Sequence, residues 1–105
     1  MVVLVTGANG QLGQAIKSIS RKYPEIDFVF CSSSDLDITN FENCQAVFST
    51  HQPHFCINTA AYTAVDKAES EPAKAFDINA NGAENLAITC KKFNTILIHI
   101  STDFV

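Results

Sequence analysis

Gly7, Gly10 and Gly13 recur every three residues within Thr6-Gly7-Ala8-Asn9-Gly10-Gln11-Leu12-Gly13. A G-x-x-G-x-x-G loop between a strand and a helix can cradle a diphosphate. Gly7 allows a tight turn. Gly10 lets backbone approach a pyrophosphate with no Cβ in the way, and Gly13 lets the helix pack close to the strand. A helix that starts here points free N–H groups and partial positive charge at the phosphates. The spacing is not the G-x-G-x-x-G of many dehydrogenases. It is not a P-loop, because no Lys-Ser/Thr pair follows. Dinucleotide binding is the expected chemistry, against a glycine turn with a purely structural role.

A second group of residues bears on which dinucleotide. After the next apolar run comes Cys31-Ser32-Ser33-Ser34. An acidic residue there would hold the adenosine ribose 2′-hydroxyl. Serines do not repel a 2′-phosphate, and Ser32 can hydrogen-bond one. No arginine is evident to clamp it. NADPH is therefore expected ahead of NADH, unless the serines are a solvated loop. Asp37 could accept from the adenine amino group while Ile38 packs on the ring. It could equally be an ordinary Asp before a helix. His51, His54 and Cys56 form a metal-like cluster, but they flank Pro53 in a loop with no fixed ligand geometry, so no metal is expected. Cys31, Cys44, Cys56 and Cys90 form no C-x-x-C pair and are expected to be reduced and buried.

The elements that must position these residues follow from periodicity. Val2 to Val5, Phe28 to Cys31, Phe55 to Ile57 and Ile96 to Ile100 are short apolar runs, as in strands buried on both faces of a parallel sheet. Helical spacing separates them. Leu12, Ala15, Ile16 and Ile19 share one face. Asn40 can cap a helix with Phe41, Cys44, Val47 and Phe48 inside. Thr63 to Glu69 reads as a short helix. Pro72 fits the first turn of a longer one that carries Asn79, Gly82, Leu86, Cys90 and Phe93. Asn79 and Gly82 on that apolar face read as structural support. The βαβαβαβ order predicts an α/β class: a Rossmann-like doubly wound parallel sheet with strand order 3-2-1-4. Residues 1–105 are expected to be the N-terminal portion of such a domain, truncated, with the rest of the domain and a substrate domain absent.

Composition excludes several classes. Hydrophobic residues are 47% and charged residues 17% of the 105, which suits a packed core. The net charge is -4 with no basic stripe, so a nucleic-acid partner is not expected. No apolar run approaches the roughly 18 residues of a membrane span. Met1 to Val5 lacks a basic n-region and cleavage site and reads as a strand, so the expected location is the cytoplasm.

Four segments together carry a resemblance. They are T-G-A-N-G-Q-L-G at 6 to 13, D-I-T-N at 37 to 40, N-T-A-A-Y-T-A-V-D-K-A-E-S-E-P at 58 to 72 and S-T-D-F-V at 101 to 105. The chain resembles the dTDP-4-dehydrorhamnose reductases, which are extended short-chain dehydrogenases, over about the first third of a member. The A-x-T-A-V-D-K-A-E-x-x-P stretch is the most specific part. The resemblance implies that Gly10, Gln11 and Leu12 contact the cofactor diphosphate, with Gly7 and Gly13 shaping the loop, and that Asp37 and Ile38 meet the adenine. Ala60, Ala61, Tyr62, Thr63 and Ile100 would line the ribose and nicotinamide side. Thr102 and Asp103 would meet the substrate sugar, with Thr102 hydrogen-bonding the 4-keto oxygen as the one catalytic residue present. The family's Y-x-x-x-K pair is absent, since neither Tyr23 nor Tyr62 has a Lys four residues on. The implied reaction of a longer parent is NAD(P)H-dependent reduction of dTDP-4-dehydro-L-rhamnose to dTDP-L-rhamnose, with residues 1–105 alone inactive. Alternatives are another sugar-nucleotide epimerase or dehydratase, or an NADP-binding regulatory subunit like that of methionine adenosyltransferase. The cut domain is also expected to self-associate through an uncovered sheet edge.

Overall fold

The computed structural model describes residues 1–59 and 77–99. In chain order these form β1 (Val2–Thr6), α1 (Gln11–Ser20), β2 (Asp27–Cys31), α2 (Phe41–His51), β3 (Phe55–Asn58), a π-helical turn (Asp77–Gly82), α3 (Ala83–Lys92) and β4 (Ile96–His99). All the strand pairs are parallel. The expected helix over 63 to 69 and the Pro72 start of the longer helix lie outside the described residues. So does the side chain of Asn79.

The α/β class with a parallel, doubly wound sheet stands, but the strand order is β2-β1-β3-β4 and not 3-2-1-4. The reason lies in residues 32 to 40. Leu36 N–H donates to Ser32 O at 2.9 Å and Asn40 N–H to Asp37 O at 3.0 Å, so the chain turns instead of running on beside β2. Leu36 and Ile38 drop into the core, and Asn40 at once caps α2 through its side chain, which accepts from Asn43 N–H at 3.0 Å. α2 then carries the chain across β1 and delivers β3 to its far side.

Strand alternation sorts the two sheet faces. Val29, Leu4, Cys56 and Leu97 are register partners in one row across all the strands. That row packs with Phe48 and Cys44 of α2 and Leu86 and Cys90 of α3 into the core. Phe48 and Phe93 meet there at 6.0 Å between ring centroids. On the opposite face, α1 covers β1 and β2, where Val3 and Val5 are buried and Lys17 Nζ lies 5.9 Å from the Phe30 ring.

Two apolar surfaces expected inside are open. β4 is the far edge strand, and its Ile96 and Ile98 are 59% and 42% exposed. Leu12 and Ile19 of α1 are 41% and 50% exposed. An apolar run reads the same whether one face or both are covered, and among the described residues nothing lies over these side chains.

All four cysteines are free and buried. Burial pushes the Cys31 and Cys44 thiols up to about 11, with the carboxylates of Asp35 and Asp37 adding to the effect. The Cys56 thiol is also raised, first by its hydrogen bond to Cys90 and then by burial. Such thiols are inert core residues. Among the described residues no group of His, Cys, Asp or Glu could hold a metal ion. His54 serves the fold: its Nδ1 accepts from Val2 N–H at 3.0 Å, at the start of β1.

Candidate functional site

In open α/β sheets, ligands bind beyond the carboxyl ends of the strands where the strand order reverses. That point lies between β1 and β3, and the glycine loop sits on it. Gly7 follows β1 with φ +65°, a left-handed conformation that side chains disfavour. A Cβ there would stand 2.7 Å from the carbonyl oxygen of Thr59, just past β3. Ala8 N–H donates to Cys31 O at 3.0 Å, so the loop is also tied to the end of β2. Gly10 N–H closes the turn onto Gly7 O at 3.0 Å.

Gly10 caps α1 without any side-chain hydrogen bond. The first-turn N–H groups, at Gln11, Leu12 and Gly13, therefore have no side-chain acceptor of their own and suit an anion. Gly13 is buried and does permit close packing, but against the loop and not the strand. A Cβ on it would overlap Gly7 O and stand 2.7 Å from Ala8 Cα. Gln11 and Leu12 are exposed at the loop.

A directional hydrogen-bond chain lies beneath the loop. Thr59 N–H donates to Thr6 Oγ1 at 3.1 Å. Thr6 Oγ1 donates to Asn58 Oδ1 at 2.6 Å. Asn58 Nδ2 donates to His99 Nδ1 at 3.0 Å, which places the ring proton on Nε2. Thr59 Oγ1 in turn donates to the carbonyls of Thr6 and Gly7. Thr6 and Asn58 are fully buried. The chain joins the carboxyl ends of β1, β3 and β4 into one platform under Gly7. Sequence reading missed it, although Thr and Asn ending apolar strands are buried polar groups that require partners.

On the β2 side, a cavity of about 500 Å³ opens from the loop. Ala8, Asn9, Lys17, Arg21, Ser32 and Asp35 are among its lining. Two corrections follow. Arg21, the residue that caps the carboxyl end of α1, does line the pocket of Ser32 together with Lys17 of α1, because α1 packs beside β2. Their signal was the polar stripe Gln14, Lys17, Ser18, Arg21 at helical spacing. Ser32 is not a free donor: its N–H and Oγ both bond to Asp35 Oδ2, at 3.1 and 3.0 Å.

Asp37 also stays within its own turn, where its Oδ1 accepts from Thr39 N–H and Oγ1 at 3.0 and 2.6 Å. The Ile38 side chain is 4% exposed and packs against Gly82 in the core, so it does not lie open to an adenine ring. Asn85 Nδ2 donates to Ile38 O at 2.9 Å and pins that turn to α3. Ala60, Ala61, Tyr62, Thr63, Ile100, Thr102 and Asp103 lie outside the described residues.

Against known families, the model of the RmlD substrate binding domain matches residues 1–105. The chain belongs to this family. Within the RmlD family, it is 36% identical over 103 residues to a dTDP-4-dehydrorhamnose reductase of Aggregatibacter actinomycetemcomitans, covering 98% of this chain and 35% of that protein. It is 38% identical over 103 residues to one of Streptomyces griseus, covering 97% and 33%. A crystal structure of dTDP-4-dehydrorhamnose reductase from Bacillus anthracis in complex with NADP superposes with a TM-score of 0.85 at 40% identity, over 95% of this chain and 36% of that one. The present RmlD-family chain thus spans about a third of the length of the curated relatives it matches.

Proposed function

We propose that the protein carrying this sequence is an NAD(P)H-dependent oxidoreductase that reduces the 4-keto group of dTDP-4-dehydro-L-rhamnose to give dTDP-L-rhamnose. One observation carries the reading most: the Gly7–Gly13 loop stands on the β1/β3 switch point in a chain belonging to the RmlD family. Residues 1–105 are the N-terminal portion of its nucleotide-binding domain. Gly7 and Gly13 shape the loop, and Gly10, Gln11 and Leu12 present backbone N–H groups to the diphosphate. Ser32 and Asp37 face the adenosine half. Ala60, Ala61, Tyr62, Thr63 and Ile100 form the nicotinamide wall. Thr102 and Asp103 hold the sugar, with Thr102 on the keto oxygen.

The nicotinamide supplies the hydride when bound. What these residues contribute is position: the platform under Gly7 fixes the loop, the loop fixes the diphosphate, and Thr102 polarises the carbonyl. The NADP named in the Bacillus anthracis structure supports NADPH as the cofactor. We place the protein in the cytoplasm, with the reduced nicotinamide cofactor that the proposed reaction consumes; separately, among the described residues no helix is long and apolar enough to cross a membrane.

The whole protein should oxidise NADPH when given dTDP-4-dehydro-L-rhamnose and release dTDP-rhamnose. Cofactor binding without turnover on this sugar would redirect the reading to a regulatory role or another sugar nucleotide. Residues 1–105 expressed alone should associate through the open β4 edge around Ile96 and Ile98. A concentration-independent monomer in sedimentation would count against that interface.

A further inference from the structure

Ser32 offers two adjacent donors at the carboxyl end of β2, its N–H and its hydroxyl. Both converge on one oxygen, Asp35 Oδ2, at 3.1 and 3.0 Å. A convergent N–H and O–H pair is what an anion takes, and here a carboxylate of the same chain takes it. The cavity that holds this pair is also lined by two cations, Lys17 of α1 and Arg21 at its carboxyl-terminal cap. The glycine loop borders the same cavity through Ala8 and Asn9. The pocket therefore has donors and positive charge suited to a phosphate monoester, with one negative charge seated on the donors.

We propose that Asp35 sets the balance between NADH and NADPH in this protein, by competing with the cofactor's 2′-phosphate for Ser32 while Lys17 and Arg21 favour that phosphate. The inference rests on the reading of the site as an NAD(P) site. With NADH, the Asp35 carboxylate stays within reach of the ribose hydroxyls and can accept from them. With NADPH, the phosphate takes the Ser32 donors, the carboxylate must swing out, and the two like charges repel. Lys17 and Arg21 offset part of that repulsion. The structure thus holds the elements of both specificities in one pocket, and Asp35 is the one that works against the phosphate.

The test is calorimetric titration of the whole protein with NADPH and, separately, with NADH. It compares wild type with Asp35→Ala, Asp35→Asn and Arg21→Ala. All three substitutions are at exposed positions. Removing the carboxylate should raise the NADPH-over-NADH affinity ratio about tenfold, chiefly through tighter NADPH binding. Arg21→Ala should lower the same ratio, and added salt should shrink the gap between wild type and Asp35→Asn. If both cofactors bind wild type and both Asp35 variants with an unchanged ratio, Asp35 does not set the preference. If neither cofactor binds wild type, the NAD(P) reading fails and the proposal goes with it.

Discussion

Gly7→Val should destabilise the fold by about 3 kcal/mol or more and abolish cofactor binding with it. The left-handed φ of +65° alone costs a side chain roughly 1–2 kcal/mol. The larger share comes from the 2.7 Å approach to Thr59 O, because the atom struck is backbone held by β3 and cannot rotate away. Thr59 is itself fixed by its bonds to Thr6 and Gly7, so relief would have to open the whole platform. Gly10→Ala makes the contrast. Its φ of -77° is ordinary, and its new Cβ would stand 3.3 Å from Gly7 O. It should cost about 1 kcal/mol or less in stability, yet weaken NADPH at least about tenfold by holding the diphosphate off the loop. Denaturant titrations and cofactor titrations of both variants separate the two roles. Equal stability losses at Gly7 and Gly10 would contradict the assignment.

Asn58→Leu should cost about 2–4 kcal/mol, a large effect for one side chain that touches no ligand in this account. The substitution keeps the branched shape but takes away the acceptor of the buried Thr6 hydroxyl, which is left only the bond it accepts from Thr59 N–H, and it removes the bond to His99. A buried donor left without an acceptor costs more than the hydrogen bond itself was worth. The double variant Thr6→Val/Asn58→Leu should therefore be more stable than the sum of the single variants predicts, by about 1 kcal/mol. Strict additivity in chemical unfolding would mean that Thr6 and Asn58 do not act as a unit.

The glycine loop was legible in the sequence because its function depends on local backbone, and a strand, three spaced glycines and an amphipathic helix are all local signals. The Asn40 cap was legible for the same reason. Strand order was not. The run Phe55-Cys56-Ile57 says that a buried strand forms but not which strand it joins. Its place beside β1 is decided by the turns of residues 32 to 40 and the crossing of α2. Ile38 shows the same limit. Its neighbour Asp37 suggested an adenine contact, yet the side chain fills space left by Gly82, 44 positions along the chain. Arg21 and Lys17 precede Ser32 in sequence and reach its pocket only through the packing of α1 on β2, which carries no motif. Ser32 read as an open donor because nothing in S-S-S-D shows that the Asp will fold back onto it.

The measurement closest to the central claim follows the hydride itself. The whole protein would be given dTDP-4-dehydro-L-rhamnose with NADPH carrying deuterium at the transferable position of the nicotinamide. Direct hydride transfer to the keto carbon gives dTDP-rhamnose with deuterium on C4 of the sugar ring. An unlabelled sugar, or label at another carbon, would contradict it.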